Sequence, residues 1–265
     1  MSGLPRAGNT LLSSVLNQNP KINATANSVL PEIMFRIHSV KSQDIVYNNF
    51  PDEASVDNVL KNLFDAYYKD WDGYFIIERG AWITPYNFTL LENYFGDDIK
   101  IVILVRDVLD VIKSYLNLCA KDPNFYINAG YNKLDPATLY LSEIEEKCEL
   151  IMKKGDLLDT MLYSIKWLLD NKKGSLLHFV DYKDLIKDPE KEIKGIYKFF
   201  NMDHYQHYFT NLEQFSVNNV KYDDDVYGAG IDMHKIRTGK IKSLTNSIEL
   251  PKSVVNKYSN LELWK

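Results

Sequence analysis

Residues 1–20 read Met1-Ser-Gly-Leu-Pro-Arg-Ala-Gly-Asn-Thr-Leu-Leu-Ser-Ser-Val-Leu-Asn-Gln-Asn-Pro20, a short apolar run followed by a turn and a helix. Gly8 lets the backbone approach a ligand or adopt a positive φ, and Asn9 and Thr10 commonly begin helices. The unpaired N–H groups and the positive dipole end of such a helix favour a phosphate or sulfate. Arg6 adds a planar guanidinium that suits anion oxygens. The stretch therefore predicts a strand, an anion-binding turn and a helix.

This turn is not a Walker loop. The pattern G-x-x-x-x-G-K-[ST] aligns from Gly3 to Gly8, but Asn9 then occupies the lysine position. A nucleotide triphosphatase would lack its main phosphate cation. On this stretch alone, an ordinary strand, turn and helix without a ligand remains the alternative.

A second informative stretch is Ile99-Lys-Ile-Val-Ile-Leu-Val-Arg-Asp-Val-Leu-Asp-Val-Ile-Lys-Ser-Tyr115. Its aliphatic run, 101–105, is typical of a central parallel strand, and Asp107 is positioned to cap the following helix. Arg106 thus falls at the carboxyl end of a strand, where ligands bind in open α/β sheets. Ser114 falls two turns along the helix.

Both stretches resemble motifs of the sulfotransferase superfamily, which uses 3′-phosphoadenosine 5′-phosphosulfate (PAPS). Residues 3–12 resemble its 5′-phosphosulfate loop, P-[KR]-x-G-[TNS]-[TS], and Arg106 and Ser114 have the spacing of its 3′-phosphate motif. Residues 182–189 resemble a third recurring run, Y-x-D-L-x-x-D-P.

The resemblance extends from residue 2 to about residue 241. It implies one α/β domain over residues 1–265, with a central parallel sheet flanked by helices, P-loop-like as in sulfotransferases and nucleotide kinases. It also implies sulfuryl transfer from PAPS to an acceptor hydroxyl or amine, with adenosine 3′,5′-bisphosphate (PAP) as product and no metal. The alternatives are a P-loop kinase or nucleotide hydrolase, and a non-catalytic adenosine-nucleotide-binding protein.

The resemblance also implies site residues. Arg6 would hold the 5′ end and, with Arg79, the charge that develops on the leaving oxygen. Tyr182 would contact the adenosine end, and a C-terminal basic loop would close the site. The implied cofactor contacts are Arg6, Ala7, Gly8, Asn9, Thr10, Leu11, Arg106, Ser114, Tyr182, Arg237 and Lys240.

The catalytic base does not follow from the resemblance. Protein-tyrosine sulfotransferases carry a catalytic Glu and an Arg at positions that here fall on Asn27 and Val29, which leaves both the base and the acceptor open. Glu32 and His38, a few residues later, are the candidate bases. The alternative is that each is a solvated helix residue.

Arg79 ends the apolar run of Tyr74-Phe-Ile-Ile-Glu-Arg-Gly-Ala-Trp82, which predicts a buried strand. It is the nearest cation to the family lysine that holds the leaving oxygens; the alternative is a surface arginine. The adjacent Glu78 would be its partner or a base.

The remaining periodicity predicts further elements: helices over 55–69, 84–96, 137–153 and 156–171, a strand over 176–181 and a helix from Pro189. Residues 124–132 form an aromatic loop that either lines an acceptor pocket or covers the core. The acidic run 223–225 is expected to be solvated; the alternative is a metal-binding run.

Composition limits the function further. The net charge of −5 and the pI of about 5.6 argue against broad nucleic-acid binding. With two cysteines, no membrane-length apolar run and a loop that begins at residue 3, we expect a cytoplasmic protein without a leader or membrane association. The expected partner is a sulfate acceptor, either a small molecule, a peptide or a saccharide.

Overall fold

The computed structural model describes residues 1–25, 27–96, 98–122, 125, 143–228, 230–237, 239, 241 and 248–265. Its strands are β1 (Ser2–Gly3), β2 (Ile22–Ala24), β3 (Phe75–Ile77), β4 (Ile101–Val105) and β5 (Leu177–Asp181). Its helices are α1 (Asn9–Leu16), α2 (Leu30–Gln43), α3 (Ile45–Asn49), α4 (Glu53–Lys61), α5 (Leu63–Tyr67), α6 (Pro85–Phe95), α7 (Val108–Lys121), α8 (Ile144–Ile151), α9 (Leu157–Asp170), α10 (Tyr182–Lys187), α11 (Pro189–Phe199) and α12 (Lys252–Tyr258).

The strands are all parallel and form two adjacent ladders. In the first, β4 lies between β1 and β5; in the second, β2 pairs with β3. The chain just after β3 contacts β1, because Gly80 N donates to Met1 O and Ser2 Oγ donates to Gly80 O. The carboxyl ends of β1, β3, β4 and β5 therefore lie along one edge of the sheet.

The core is centred on β4. All five of its side chains are buried, and Val108, Val111, Ile112 and Tyr115 of α7 are buried in the same core. A side chain does not fit at Gly3, since a Cβ there would lie 2.2 Å from Leu104 O on β4. The predicted α/β class, a parallel sheet flanked by helices, is confirmed.

Two predictions about local structure were wrong. The helix expected over 55–69 is divided into α4 and α5 at Asn62, whose side-chain amide donates to the carbonyl of Asn58 and competes with the regular helix bonds. The strand expected to be buried from Tyr74 onward begins at Phe75, and Tyr74 is 85% exposed. An apolar run does not show which end of a strand the core covers, and here only Ile77 is buried.

Other boundaries agree with the predictions to within a residue or two, as for α6, α9, β5 and α11. Residues 137–142 of the helix predicted over 137–153, and all of the 124–132 loop except Phe125, lie outside the described residues. Within the part of the chain that is described, no helix has both the length and the apolar character needed to cross a membrane.

Candidate active site

The turn after β1 is fixed by two hydrogen bonds. Leu4 N donates to Leu104 O on β4 at 2.8 Å, and the Asn9 side chain donates to Leu4 O at 3.1 Å. Asn9 therefore points into the protein. Arg6 and Gly8 have positive φ angles of 61° and 92°, a conformation that bulky residues adopt only when the surroundings enforce it.

Gly8 and Arg106 both lie close to the Tyr182 ring. A Cβ at Gly8 would be 2.7 Å from Tyr182 Cδ2, so the glycine lets the ring approach the turn. The Arg106 guanidinium lies over the same ring, 4.5 Å from its centroid, a cation–π geometry. The predicted 5′ turn, the end of β4 and the start of α10 thus meet at one place.

Two hydrogen bonds join the turn to the β4–α7 segment. Arg106 Nη1 donates to Arg6 O at 2.9 Å, and Arg6 Nε donates to Ser114 Oγ at 3.1 Å. Arg106 is only 8% exposed, and its Nε has no hydrogen-bond acceptor among the described residues. A buried cationic donor without an acceptor is costly, and the same side chain lines the cavity described next.

A cavity of about 550 Å³ opens beside these residues. Most of the predicted site residues line it. They are Arg6, Gly8, Asn9, Thr10, Leu11, Glu32, Arg79, Arg106, Ser114, Tyr182 and Arg237. Ala7 is fully buried and is not part of the lining, and Lys240 lies outside the described residues.

Helix α1 begins at this cavity without a side-chain cap. Its N-cap residue is Gly8, and the residues from Gly8 to Leu11 line the cavity. The first N–H groups of a helix have no intrahelical acceptor, and the dipole makes this end attractive to anions. Together with Arg6, the helix start forms a second position for negative charge.

Arg79 also lines the cavity. Its Nη1 donates to Asn27 Oδ1 at 3.0 Å, and its backbone N donates to Thr25 Oγ1 at 2.9 Å. Asn27, at the position of the family Glu, also lines the cavity. An amide cannot replace a carboxylate as a base, but here it orients a cation.

The two bases suggested by sequence lie in different environments. Glu32 lines the cavity but is exposed, and it accepts a hydrogen bond from Arg36 Nε at 2.7 Å. His38 does not line the cavity, and its Nδ1 is 2.6 Å from the hydroxyl of Tyr86. Burial, followed by the charge of Lys41, lowers the pKa of His38.

Glu78 faces a different part of the protein. It is buried, burial raises its pKa, and its carboxylate accepts a hydrogen bond from Trp82 Nε1. It lines a separate cavity of about 420 Å³ with Tyr68 and Trp71. Glu78 is therefore separated from the cavity that holds Arg6 and Arg106.

The sequence analysis missed a histidine at the cavity. His234 lines it, and its Nδ1 is 2.7 Å from Asp224 Oδ1. Asp224 belongs to the acidic run 223–225 that we expected to be solvated, and for this residue the expectation was wrong, because its side chain is only 16% accessible. The only sequence signal is a histidine ten positions after an aspartate, which is too common to single out.

The described residues contain no cluster of three or more His, Cys, Asp or Glu side chains that would hold a metal ion.

A family model described as "Sulfotransferase domain" matches residues 1–250. The chain belongs to this family. Among solved structures, the sulfotransferase domain from the curacin biosynthetic pathway is 15% identical, with a TM-score of 0.51 over 99% of this chain and 90% of that chain. A sulfotransferase domain from the Synechococcus PCC 7002 olefin synthase is 16% identical, with a TM-score of 0.48 over 96% and 90%.

The curacin-pathway likeness shows that the sulfotransferase fold extends over nearly the whole chain. A comparison with curated proteins gives no significant match. The resemblance inferred from residues 3–12, 101–115 and 182–189 is therefore confirmed at the level of the family.

Proposed function

We propose that this sulfotransferase-family protein transfers a sulfuryl group from PAPS to a hydroxyl or amine of an acceptor and releases PAP. The observation that carries the proposal is the Arg106 side chain. It is buried beside the cavity, it contacts the 5′ turn through Arg6 O, and its Nε lacks an acceptor in the described part of the chain. A ligand phosphate is the partner that best fits this donor.

The charges of the cavity suit a ligand with two anionic groups. We assign one anionic group to Arg6 and the start of α1 and the other to Arg106 and Ser114, which all line the cavity; Arg6 Nε also donates to Ser114 Oγ and so joins the two positions. PAPS and PAP carry phosphates at both ends of the ribose, whereas ATP carries charge at one end only. The arrangement therefore favours a 3′,5′-substituted adenosine over ATP.

PAPS supplies an activated sulfuryl group, and the protein supplies position and charge. In-line displacement at sulfur resembles phosphoryl transfer, in which positioning and electrostatic stabilisation dominate. We assign Arg6, Arg79 and the N–H groups of residues 7–11 to the charge that develops on the leaving oxygen. Arg106 and Ser114 would hold the 3′-phosphate, Tyr182 the adenosine end, and Arg237 and Lys240 the loop that closes the site.

A kinase or nucleotide hydrolase fits less well, because Asn9 stands at the Walker lysine position and its amide donates to Leu4 O inside the protein. A non-catalytic nucleotide binder shares the same pocket and differs only in turnover. Both Cys119 and Cys148 are free thiols, which suits a reducing compartment such as the cytoplasm. The acceptor remains a small molecule, a peptide or a saccharide.

The first experiment is thermal stabilisation by PAP, AMP, ADP and ATP at equal concentrations. A ligand at a hundred times its Kd stabilises the folded state by about 2.7 kcal/mol. We expect a large shift with PAP and small shifts with the others. A larger shift with ATP than with PAP would contradict the proposal.

The second experiment measures PAP released from PAPS with a panel of phenols, alcohols, amines and saccharides. Acceptor-dependent release supports a transferase. Tight PAP binding without release from any acceptor favours the non-catalytic binder.

A further inference from the structure

His234 and Asp224 form a pair at the wall of the cavity. His234 lines the cavity and is 9% exposed, and its Nδ1 lies 2.7 Å from Asp224 Oδ1. The second carboxylate oxygen accepts a hydrogen bond from the backbone N of His234 at 2.8 Å. One aspartate thus fixes both the ring and the main chain of this histidine.

The pair selects one tautomer of the ring. A carboxylate only accepts hydrogen bonds, so Nδ1 must carry the proton that it donates to Asp224. In the neutral ring the other nitrogen, Nε2, then holds a lone pair. A histidine oriented in this way by an aspartate is a familiar general base, because the carboxylate also stabilises the imidazolium that forms.

Further contacts keep the ring in position. It stacks on Tyr222 with ring centroids 4.2 Å apart and an interplanar angle of 7°. Gln214 Nε2 donates to His234 O at 3.1 Å, and Gln214 Oε1 accepts from Ile236 N at 2.8 Å. The side chain is therefore held before any ligand binds, which lowers the cost of orienting a catalytic group.

The surroundings of His234 lower its pKa, which favours the neutral ring. Burial lowers its pKa, Asp224 opposes this effect, and the positive charges of Arg79 and Arg6 lower the pKa further. Those two arginines are the cations assigned above to the reacting end of the donor. Tyr222 and Tyr227 face the ring, and Asp232 and Lys235 flank it at the cavity.

We propose that His234, oriented by Asp224, is the general base that deprotonates the acceptor. This inference rests on the proposed function. In the step, the acceptor oxygen or nitrogen forms a bond to sulfur, and the bond between sulfur and the bridging phosphate oxygen breaks. Its electron pair passes to that oxygen, which leaves on PAP. The acceptor proton passes to His234 Nε2, with no other reactant.

The two carboxylates that were candidate bases are less well placed than His234. Glu32 is exposed, and its carboxylate is paired with Arg36. Glu78 is hydrogen-bonded to Trp82 and lines a different cavity.

The first test does not need an acceptor. Long-range ¹H–¹⁵N spectra of histidine-labelled protein, recorded with PAP at pH 7, report the tautomer of each of the five histidines. We expect His234 to be neutral, with the proton on Nδ1, and D224N to change this state. A proton on Nε2, or an imidazolium at pH 7, would overturn the proposal. Single variants of the other four histidines assign the signal by elimination if H234N does not fold.

The second test measures PAP release from PAPS by the wild-type protein, H234N, D224N and H204N, with the acceptor panel. His204 is exposed and outside the cavity, so H204N is the matched control. We expect H234N to lose about 10²–10⁴-fold in kcat and the acidic limb of the pH profile, while PAP affinity stays within about threefold.

Added imidazole should partly restore the rate of H234G. A normal rate and pH profile in H234N would overturn the proposal. Absence of PAP binding by the wild-type protein would instead contradict the proposed function. If PAP binds but no acceptor of the panel reacts, the tautomer measurement decides.

Discussion

Replacing Arg106 by alanine is expected to weaken binding of PAP much more than binding of AMP. The two ligands differ only in the 3′-phosphate assigned to Arg106 and Ser114. A hydrogen bond to a charged group contributes about 1.5–3 kcal/mol, which is roughly a 10- to 150-fold change in Kd.

The structure also predicts a smaller loss that both ligands share. Arg106 donates to Arg6 O at 2.9 Å and lies 4.5 Å from the Tyr182 ring centroid. Without the guanidinium, the turn and the Tyr182 ring each lose a stabilising contact, which weakens the binding of any nucleotide in the cavity. The ratio of the PAP and AMP dissociation constants removes this shared part.

Calorimetric titration of both nucleotides into the wild-type protein, R106A, R106K and R36A would measure that ratio. Lysine keeps the charge but not the planar fork, so R106K should fall between the wild-type protein and R106A. Arg36 is exposed, with 76% of its side-chain area accessible, and R36A should leave the ratio unchanged. Equal losses of PAP and AMP affinity in R106A would refute the 3′-phosphate assignment.

Three other predictions concern neighbouring groups. R6A should lower the rate of sulfuryl transfer by about 10²–10³-fold and PAP affinity much less; equal losses would argue against a role in the transition state. G8A should lower the free energy of unfolding, measured with denaturant, by about 1–3 kcal/mol, because the added Cβ meets Tyr182 at a φ of 92°. Combining G8A with Y182A should recover part of this loss, and additive losses in the double variant would contradict the clash. Burial lowers the pKa of His207 from 6.5 to about 4. Between these two pH values the unfolded chain binds more protons than the folded protein, so the free energy of unfolding should decrease as the pH falls from 6.5 to about 4. H207Q should flatten this decrease, and parallel stability curves for H207Q and the wild-type protein would show another cause.

That Arg6, Gly8 and Arg106 line one cavity could be predicted from sequence, because each of them follows a local pattern. Arg6 and Gly8 stand in a turn between a strand and a helix, and Arg106 follows an aliphatic run that could only be a central strand. Residues at the carboxyl ends of parallel strands meet at one edge, so the pattern also predicts that they lie together. The structure adds what no pattern contains, such as the approach of the Tyr182 ring to both Gly8 and Arg106.

The pair of His234 and Asp224 could not be predicted in the same way. His234 and Asp224 lie in a segment without helical or strand periodicity, and their pairing depends on how that segment covers the cavity. The candidate bases Glu32 and His38 are suggested only by their distance along the chain from the first turn. They lie on α2, where neighbouring residues face different directions, and only Glu32 reaches the cavity.

The hydrogen bonds between the turn and the β4–α7 segment also bear on how the protein is made. They join residues 100 and 108 positions apart, and Tyr182 is needed to complete the same pocket. Contacts between distant segments form only after a large loop has closed. The proposed donor site is therefore complete only after β5 and Tyr182 have left the ribosome, and we expect PAP binding to report completion of the sheet during synthesis.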